Sequence, residues 1–135
     1  MSCELCDQTG GQLLWRDERC RVVRVGDPDY PGFCRIIWNA HVAEMTDLPP
    51  ADRARLMEVV FAVEEAVREA LSPDKINLAS LGNLVPHLHW HVIPRFRNDR
   101  HFPAPIWGQP ARPASPARDC SALADAVARH LAPRA

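Results

Sequence analysis

Apolar residues recur at β-strand spacing in the first third of the chain and predict three strands there. Residues 12–16 and 20–25 are β-prone runs separated by the turn-like segment 17–19, a pattern typical of a β-hairpin. Residues 26–32 are rich in turn formers and predict a loop, and residues 33–38 are again a β-prone run. The first part of the chain therefore predicts a β-hairpin, a loop and a third strand.

The spacing of apolar residues changes to a helical period between Ala51 and Leu71. Apolar residues recur there every three or four positions, with charged residues on the other side, which predicts an amphipathic helix of about five to six turns. Prolines are tolerated near a first helical turn, so residues 46–50 suit the beginning of this helix. Residues 72–74 contain Pro73 and predict its end.

Two further strands and a proline-rich tail follow the helix. Residues 75–80 predict a strand, residues 81–86 a tight connection, and residues 87–93 a last strand that ends before Pro94. Six of the 13 prolines lie in residues 94–116, which excludes regular structure from most of that segment, and residues 121–131 predict a short helix.

This order of elements predicts an α+β fold with a mostly antiparallel sheet of about five strands and one long helix. We expect one domain over residues 1–97. Residues 98–135 form a Pro-rich tail and a short C-terminal helix that pack on this domain or extend it.

Composition limits the classes of function that this chain can have. Its 135 residues suit one domain, and a net charge of −1 argues against a broad cationic surface for nucleic acid. The longest apolar runs are shorter than the ~18 residues that span a bilayer, and acidic residues stand near the N-terminus where a signal peptide is basic. We therefore expect a cytoplasmic protein without nucleic-acid or membrane partners.

The five cysteines are too few, and odd in number, for a disulfide framework, which favours thiols or metal ligands. Cys20, Cys34 and Cys120 have apolar neighbours and are expected to be small buried residues. Cys3 and Cys6 have the spacing of half a zinc site, with a pair of unliganded thiols as the alternative.

The most informative segment is the run of alternating histidines in the last strand. Alternate side chains of a strand share a face, so His87, His89 and His91 are expected on one side, with Leu88 and Trp90 on the other. Three imidazoles on one face are costly unless they are hydrogen-bonded, bound to metal or catalytic. The residues alone leave two functions open, metal ligand and nucleophile.

This alternating run, His87 to Ile93, resembles the motif of the histidine triad (HIT) family of nucleotide hydrolases and transferases. The resemblance extends over about residues 3–100 and includes the N-terminal cysteine pair, His41 and the Gly82-Asn83 connection. It implies a HIT-like α+β fold and a homodimer that joins the sheets of two subunits. The third triad position is His91 rather than Gln, which places the chain nearer to the hydrolase branch.

The resemblance implies that His89 attacks the α-phosphorus of a nucleoside phosphate ester, an anhydride of diadenosine-polyphosphate type or a phosphoramidate. The product is a nucleotidyl-histidine intermediate that water hydrolyses, and no catalytic metal is required. His91 contacts phosphoryl oxygens and helps to protonate the leaving group. Gly82 and Asn83 immediately precede the triad and are expected to bind the phosphate of this small nucleotide substrate.

In some members of the family, an N-terminal cysteine pair binds zinc together with two histidines. The matching residues are Cys3, Cys6, His41 and His87. Four such ligands make a closed tetrahedral site, which is structural rather than catalytic. The resemblance therefore implies that His87 holds a structural Zn²⁺ while His89 and His91 act on the substrate.

Two departures from the family pattern leave alternatives open. Phe33 stands where many members have a histidine, and Leu84 stands where many have Ser or Thr. One alternative is a zinc hydrolase that uses the triad itself as metal ligands, and another is a nucleotide-binding module without turnover. Arg95 and Arg97 follow the triad strand and either bind distal phosphates or only flank its end.

Overall fold

The computed structural model describes residues 3–133, which form one mixed sheet-and-helix structure. Its helices are α1 (Glu4–Asp7), α2 (Pro50–Leu71) and α3 (Leu123–His130), with a short 3₁₀ turn at Met45–Asp47. Its strands are β1 (Gln12–Arg16), β2 (Cys20–Arg24), β3 (Cys34–Trp38), β4 (Lys75–Ala79) and β5 (His89–Arg95).

The five strands form one sheet in the order β1-β2-β3-β5-β4, and every neighbouring pair is antiparallel. The predicted α+β class with a five-stranded antiparallel sheet is confirmed. β5, the histidine strand, lies between β3 and β4 and is therefore hydrogen-bonded along both sides. In the β3–β5 register, Ile37 pairs with His89 and Arg35 with His91. This pairing fixes the direction of both imidazoles.

One face of the sheet is covered by α2 and forms the main core. Val22, Ile36 and Val92 on the sheet, and Val59 and Val63 on α2, are fully buried in one apolar cluster. Burial of each such side chain contributes roughly 1.5–3 kcal/mol to folding. The three- and four-residue spacing of apolar residues in the sequence places them on the face of α2 that packs on the sheet. α3 packs against α2 in turn. Both predicted helices are present at nearly the predicted bounds.

The opposite face of the sheet carries the polar residues and is covered only in part. At one end, Leu5 of α1 packs on Val23 and Ile37. At the other end, Tyr30 packs around Ile93 together with residues of the tail. The middle of this face, between the two apolar clusters, is where His89 and His91 project.

The predicted bounds of β5 were wrong at both ends. The strand continues through Pro94 to Arg95, because β3 pairs with β5 only up to Val92 and Pro94 lies where β4 alone continues the pairing. A proline, which lacks an N–H, is tolerated at such an edge. The strand also begins at His89 rather than His87, because the backbone of Leu88 bonds outside the sheet ladder, to Val42 and Trp38.

Two of the three remaining cysteines are buried as predicted. Cys20 and Cys34 are completely buried, and burial raises the pKa of each thiol to about 12, so both are protonated at neutral pH. Cys120 differs from the prediction because it is only half-buried at the start of the segment that leads into α3.

The tail after β5 is anchored by a buried ion pair. Arg95 and Asp99 are each 2% exposed, and Arg95 Nε donates to Asp99 Oδ2 over 2.8 Å. Arg95 also donates to Asn77 and to the carbonyl of Ala104. Its guanidinium is therefore fully hydrogen-bonded inside the protein, which excludes a role for Arg95 in binding distal phosphates.

In the part of the chain that the structure describes, no helix is long and apolar enough to cross a membrane.

Candidate active site and metal centre

Four potential metal ligands from three distant parts of the chain meet at one end of the histidine face. Cys3, Cys6, His41 and His87 each offer a ligand atom, and these atoms lie within 4.8 Å of one another. His87 Nδ1 is 3.4 Å from each of the two sulfurs and 3.3 Å from His41 Nδ1. This is the same set of residues that the sequence resemblance implied.

The separations between these atoms fit a tetrahedral zinc ion. Zinc binds thiolate at about 2.3 Å and imidazole at about 2.0–2.1 Å, so tetrahedral geometry separates sulfur from nitrogen by about 3.6 Å and two nitrogens by about 3.3 Å. The observed values of 3.4 Å and 3.3 Å are close to both. His87 Nε2–H donates to the carbonyl of Trp38 over 2.6 Å, which leaves its Nδ1 lone pair for a metal. The cluster could therefore hold a metal ion.

The N-terminal segment is held in place by Arg21, and the sequence did not predict this. The Arg21 guanidinium donates to the carbonyls of Leu5, Gln8 and Thr9 over 2.6, 3.1 and 3.0 Å, and to Asn39 Oδ1 over 2.9 Å. Carbonyls at the end of a helix lack partners within the helix, so a cation there stabilises it. Arg21 thus fixes the short α1 turn that presents both cysteines to His87.

His89 has the tautomer and orientation that a nucleophile requires. Its Nδ1–H donates to the backbone carbonyl of His87 over 2.6 Å, so the lone pair resides on Nε2. The side chain is 7% exposed, its backbone pairs with Ile37 of β3, and its carbonyl accepts a hydrogen bond from Ser80 Oγ. Burial is the main cause that lowers the pKa of His89, so its imidazole is neutral at pH 7.

His91 lies beside His89 within a group of aromatic rings. Its ring centroid is 5.0 Å from that of His89, 5.4 Å from Phe33 and 5.5 Å from Trp107, each in an edge-on arrangement. Burial, and then the charges of His89 and Arg35, lower the pKa of His91 to about 4. Its Nδ1 is buried with no hydrogen-bond partner among residues 3–133. Phe33 packs edge-on against this imidazole and so restricts its orientation.

The connection between β4 and β5 lines part of a cleft beside the histidines. This cleft, of about 280 Å³, is lined by residues 43–46, 80–82 and 87–90, and so includes Gly82 and His89. Gly82 has a φ of 73°, a left-handed conformation that favours glycine. Asn83 is exposed and lies outside the lining of this cleft, and Leu84 is 93% exposed.

Two residues of the histidine face were missed by the sequence interpretation. Arg35 is the direct cross-strand partner of His91, and its signal in the sequence is a charged residue in the middle of an otherwise apolar run. Trp107 reaches His91 from the tail, and no sequence signal indicated where the tail lies. Both belong to the same face as His89.

Comparisons with known proteins agree on one family. The family model described as the HIT domain matches residues 7–98. An adenylylsulfatase of Arabidopsis thaliana is 27% identical over 106 residues, covering 72% of this chain and 54% of that protein. An asymmetrical bis(5'-nucleosyl)-tetraphosphatase of Schizosaccharomyces pombe is 27% identical over 95 residues, covering 67% of this chain and 52% of that protein. The chain therefore spans about half the length of these curated relatives.

Solved structures match nearly the whole length of the chain. A histidine triad protein from Bradyrhizobium japonicum is 29% identical with a TM-score of 0.75, covering 97% of this chain and 96% of that one. A Zn-bound histidine triad family protein from Mycobacterium smegmatis is 25% identical with a TM-score of 0.65, covering 96% and 95%.

Proposed function

This chain belongs to the HIT domain family, and we propose that it is a nucleotide hydrolase that forms a nucleotidyl-histidine intermediate at His89. The observation that carries this proposal is the hydrogen bond from His89 Nδ1 to the carbonyl of His87. It leaves a lone pair on Nε2 of a neutral imidazole that projects from a rigid central strand. A preorganised neutral imidazole is a competent nucleophile toward phosphorus at pH 7.

The proposed reaction has two steps. His89 Nε2 attacks the α-phosphorus, so a P–N bond forms while the bond from phosphorus to the leaving group breaks, and the leaving group departs with the bonding electrons. Water then attacks the same phosphorus, the P–N bond breaks, and a nucleoside monophosphate and free imidazole result. His91 contacts the phosphoryl oxygens, and the approaching anion raises the pKa of this imidazole, which favours proton transfer to the leaving group.

The relatives suggest the class of substrate. Their names describe enzymes that act on adenylyl sulfate and on a nucleosyl tetraphosphate, in which a nucleotide is joined to a second oxyanion. We propose a substrate of this anhydride type for this chain, with Gly82 and Asn83 contributing to phosphate binding. Gly82 lines the cleft beside His89, and the exposed side chain of Asn83 is available to a ligand.

Hydrolysis after removal of metal is the experiment that tests this function. The protein is dialysed against a chelator, its metal content is measured, and diadenosine tetraphosphate, adenylyl sulfate and an adenosine phosphoramidate are offered. We expect release of AMP at a rate within a few-fold of that of the untreated protein, because imidazole attack requires no metal. Loss of turnover that returns with Zn²⁺, in protein that stays folded, would favour the metal hydrolase. Binding of all three without AMP release would favour the binding module.

We further propose that Cys3, Cys6, His41 and His87 hold a structural Zn²⁺. The donor set, two thiolates and two imidazoles, is one that zinc prefers, and four protein ligands leave no open position for a substrate. When bound, the ion cross-links the N-terminal segment to the segments that carry His41 and His87. A homodimer and a cytoplasmic location, both expected from the sequence, remain predictions.

Replacing one cysteine of this cluster should remove the metal. We expect Cys3→Ser to lower the zinc content from about one ion per chain to near zero. The free energy of unfolding should fall by about 3 kcal/mol when free zinc stands about 100-fold above its Kd. Elemental analysis and thermal unfolding measure both effects. Cys120→Ser, a half-buried cysteine outside the cluster, is the matched control and should keep its zinc. An equal zinc content in wild type and both variants would rule out this site.

A further inference from the structure

Arg35 lies in the middle of the histidine face, and neither step of the proposed reaction assigns it a role. It lies in β3 directly opposite His91 in β5, so the two side chains project side by side from the same face. It is close enough that its charge lowers the pKa of both His89 and His91. A permanent positive charge therefore lies next to the proposed nucleophile and its neighbour.

Most of the hydrogen-bonding capacity of Arg35 is unused. Within the described residues its guanidinium makes one hydrogen bond, from Nη1 to the carbonyl of Gly10 over 3.1 Å. Its Nε is buried without a partner, as is His91 Nδ1. Among residues 3–133, Arg35 takes part in no ion pair. A guanidinium has five N–H donors, so three of them, on Nη1 and Nη2, remain for a ligand.

Two other arginines of this sheet face, Arg21 and Arg95, show what a fully hydrogen-bonded guanidinium looks like. Arg21 makes four hydrogen bonds to the N-terminal segment and to Asn39. Arg95 is paired with Asp99 through two of its nitrogens. Both act as structural cross-links within the chain. Arg35 differs because the described chain supplies no acceptor for most of its N–H donors.

A half-buried guanidinium without a carboxylate partner is costly, because its charge has lost water without gaining an anion. Burial accordingly lowers the pKa of Arg35, against the opposing influence of the charge of Glu4. The two aromatic rings that lie edge-on against His91, those of Phe33 and Trp107, are uncharged. An anion that enters this face would therefore encounter one fixed cation with spare donors.

We propose that Arg35 is a phosphate-binding residue of this site, which holds a non-bridging oxygen of the phosphoryl group that His89 attacks. This inference rests on the proposed function. Guanidinium matches phosphate geometry through two parallel N–H donors, and negative charge on the non-bridging oxygens is stabilised by a fixed cation.

This role of Arg35 also predicts that the site prefers ligands with a phosphate group to nucleosides. A site with a fixed cation beside neutral histidines binds a phosphate anion far better than the corresponding nucleoside. The monophosphate product, which keeps its anionic group after the reaction, should therefore bind through Arg35 as well. Binding of the product does not require turnover, so it separates this inference from the proposed function.

The test compares the affinities of AMP and adenosine by titration calorimetry in wild type and Arg35→Gln. We expect Arg35→Gln to weaken AMP binding about 10- to 100-fold, because a hydrogen bond to a charged group is worth about 1.5–3 kcal/mol. Adenosine binding should change less than two-fold. Arg35→Lys keeps the positive charge without the two parallel N–H donors and should recover part of the AMP affinity.

Arg68→Gln is the matched control, because this exposed arginine lies on α2, which packs against the other face of the sheet. It should bind AMP like wild type. Thermal unfolding and zinc content establish that each variant is folded. Equal losses for AMP and adenosine in Arg35→Gln would overturn the inference, as would unchanged AMP affinity or the absence of AMP binding to wild type. AMP binding that depends on Arg35, without any anhydride hydrolysis, would support Arg35 as a phosphate-binding residue while contradicting the proposed function.

Discussion

Replacing His89 by alanine is expected to lower kcat by about 10³-fold or more while leaving the protein folded. The imidazole is the group that forms the covalent bond to phosphorus, and removal of a nucleophile that acts with its neighbours removes most of the catalysis. The ring makes one side-chain hydrogen bond, to the carbonyl of His87, and its strand is held by pairing on both sides. Stability should therefore change far less than activity.

Steady-state hydrolysis of diadenosine tetraphosphate measures this effect. His130→Ala is a matched control, because this histidine lies on α3 and its ring nitrogens pair with Glu65 and Glu69 of α2. It should retain wild-type turnover. A His89→Ala variant with more than about a tenth of wild-type kcat would exclude His89 as the nucleophile, because general acid–base assistance alone contributes about 10²–10⁴-fold.

Asn in place of Asp99 is expected to lower the free energy of unfolding by about 3–5 kcal/mol, the usual cost of breaking one side of a buried ion pair. Both carboxylate oxygens of Asp99 accept hydrogen bonds from several N–H groups. Oδ2 accepts from Arg95 Nε and Phe96 N, and Oδ1 accepts from Arg95 Nη2, His101 N and Phe102 N. The amide NH₂ of Asn would face at least two of these donors in either orientation, and the charge of Arg95 would remain buried.

Chemical denaturation of the variant at neutral pH measures this loss. Asp119→Asn is the matched control, because Asp119 is exposed and its role, accepting from the N–H of Ser121, can be filled by Asn. Its free energy of unfolding should stay within about 0.5 kcal/mol of wild type. A loss below about 1 kcal/mol in Asp99→Asn would mean that the ion pair does not anchor the tail.

The same pair predicts a pH dependence of stability. Burial opposes ionisation of Asp99, but hydrogen bonds from Arg95 and from backbone N–H groups outweigh it and lower its pKa. A carboxyl whose pKa is lower when folded stabilises the protein fully above its unfolded pKa of about 3.9. That stabilisation is lost as pH falls through the folded value. The difference between wild type and Asp99→Asn should therefore be constant from pH 7 to about pH 5 and shrink below about pH 4.

The sequence predicted those parts of the structure that depend on local periodicity. Alternation placed His89 and His91 on one face, and the three- and four-residue spacing of apolar residues predicted α2 within one residue of its observed start. Both patterns result from burial against a single partner surface. The family resemblance then named the four residues that the structure brings together as a possible metal site.

The site residues that the sequence did not predict depend on contacts that no local sequence pattern specifies. Arg35 became part of the site only because β3 pairs with β5 in one particular register, which no local pattern specifies. Arg95 is a structural residue because Asp99, four positions later in an irregular segment, turns back toward it. Trp107 reaches His91 from a segment whose many prolines exclude a regular element and hence any periodic signal.

The most direct test of a nucleotidyl-histidine mechanism is to isolate the intermediate. The protein is mixed with a small excess of diadenosine tetraphosphate, quenched in alkali within milliseconds to seconds, and analysed by intact mass and by peptide mapping. We predict that wild type gains the mass of one adenylyl group on the peptide that contains His89. His89→Ala should show no such gain. An adduct on another residue, or rapid AMP release with no adduct at any quench time, would contradict the account.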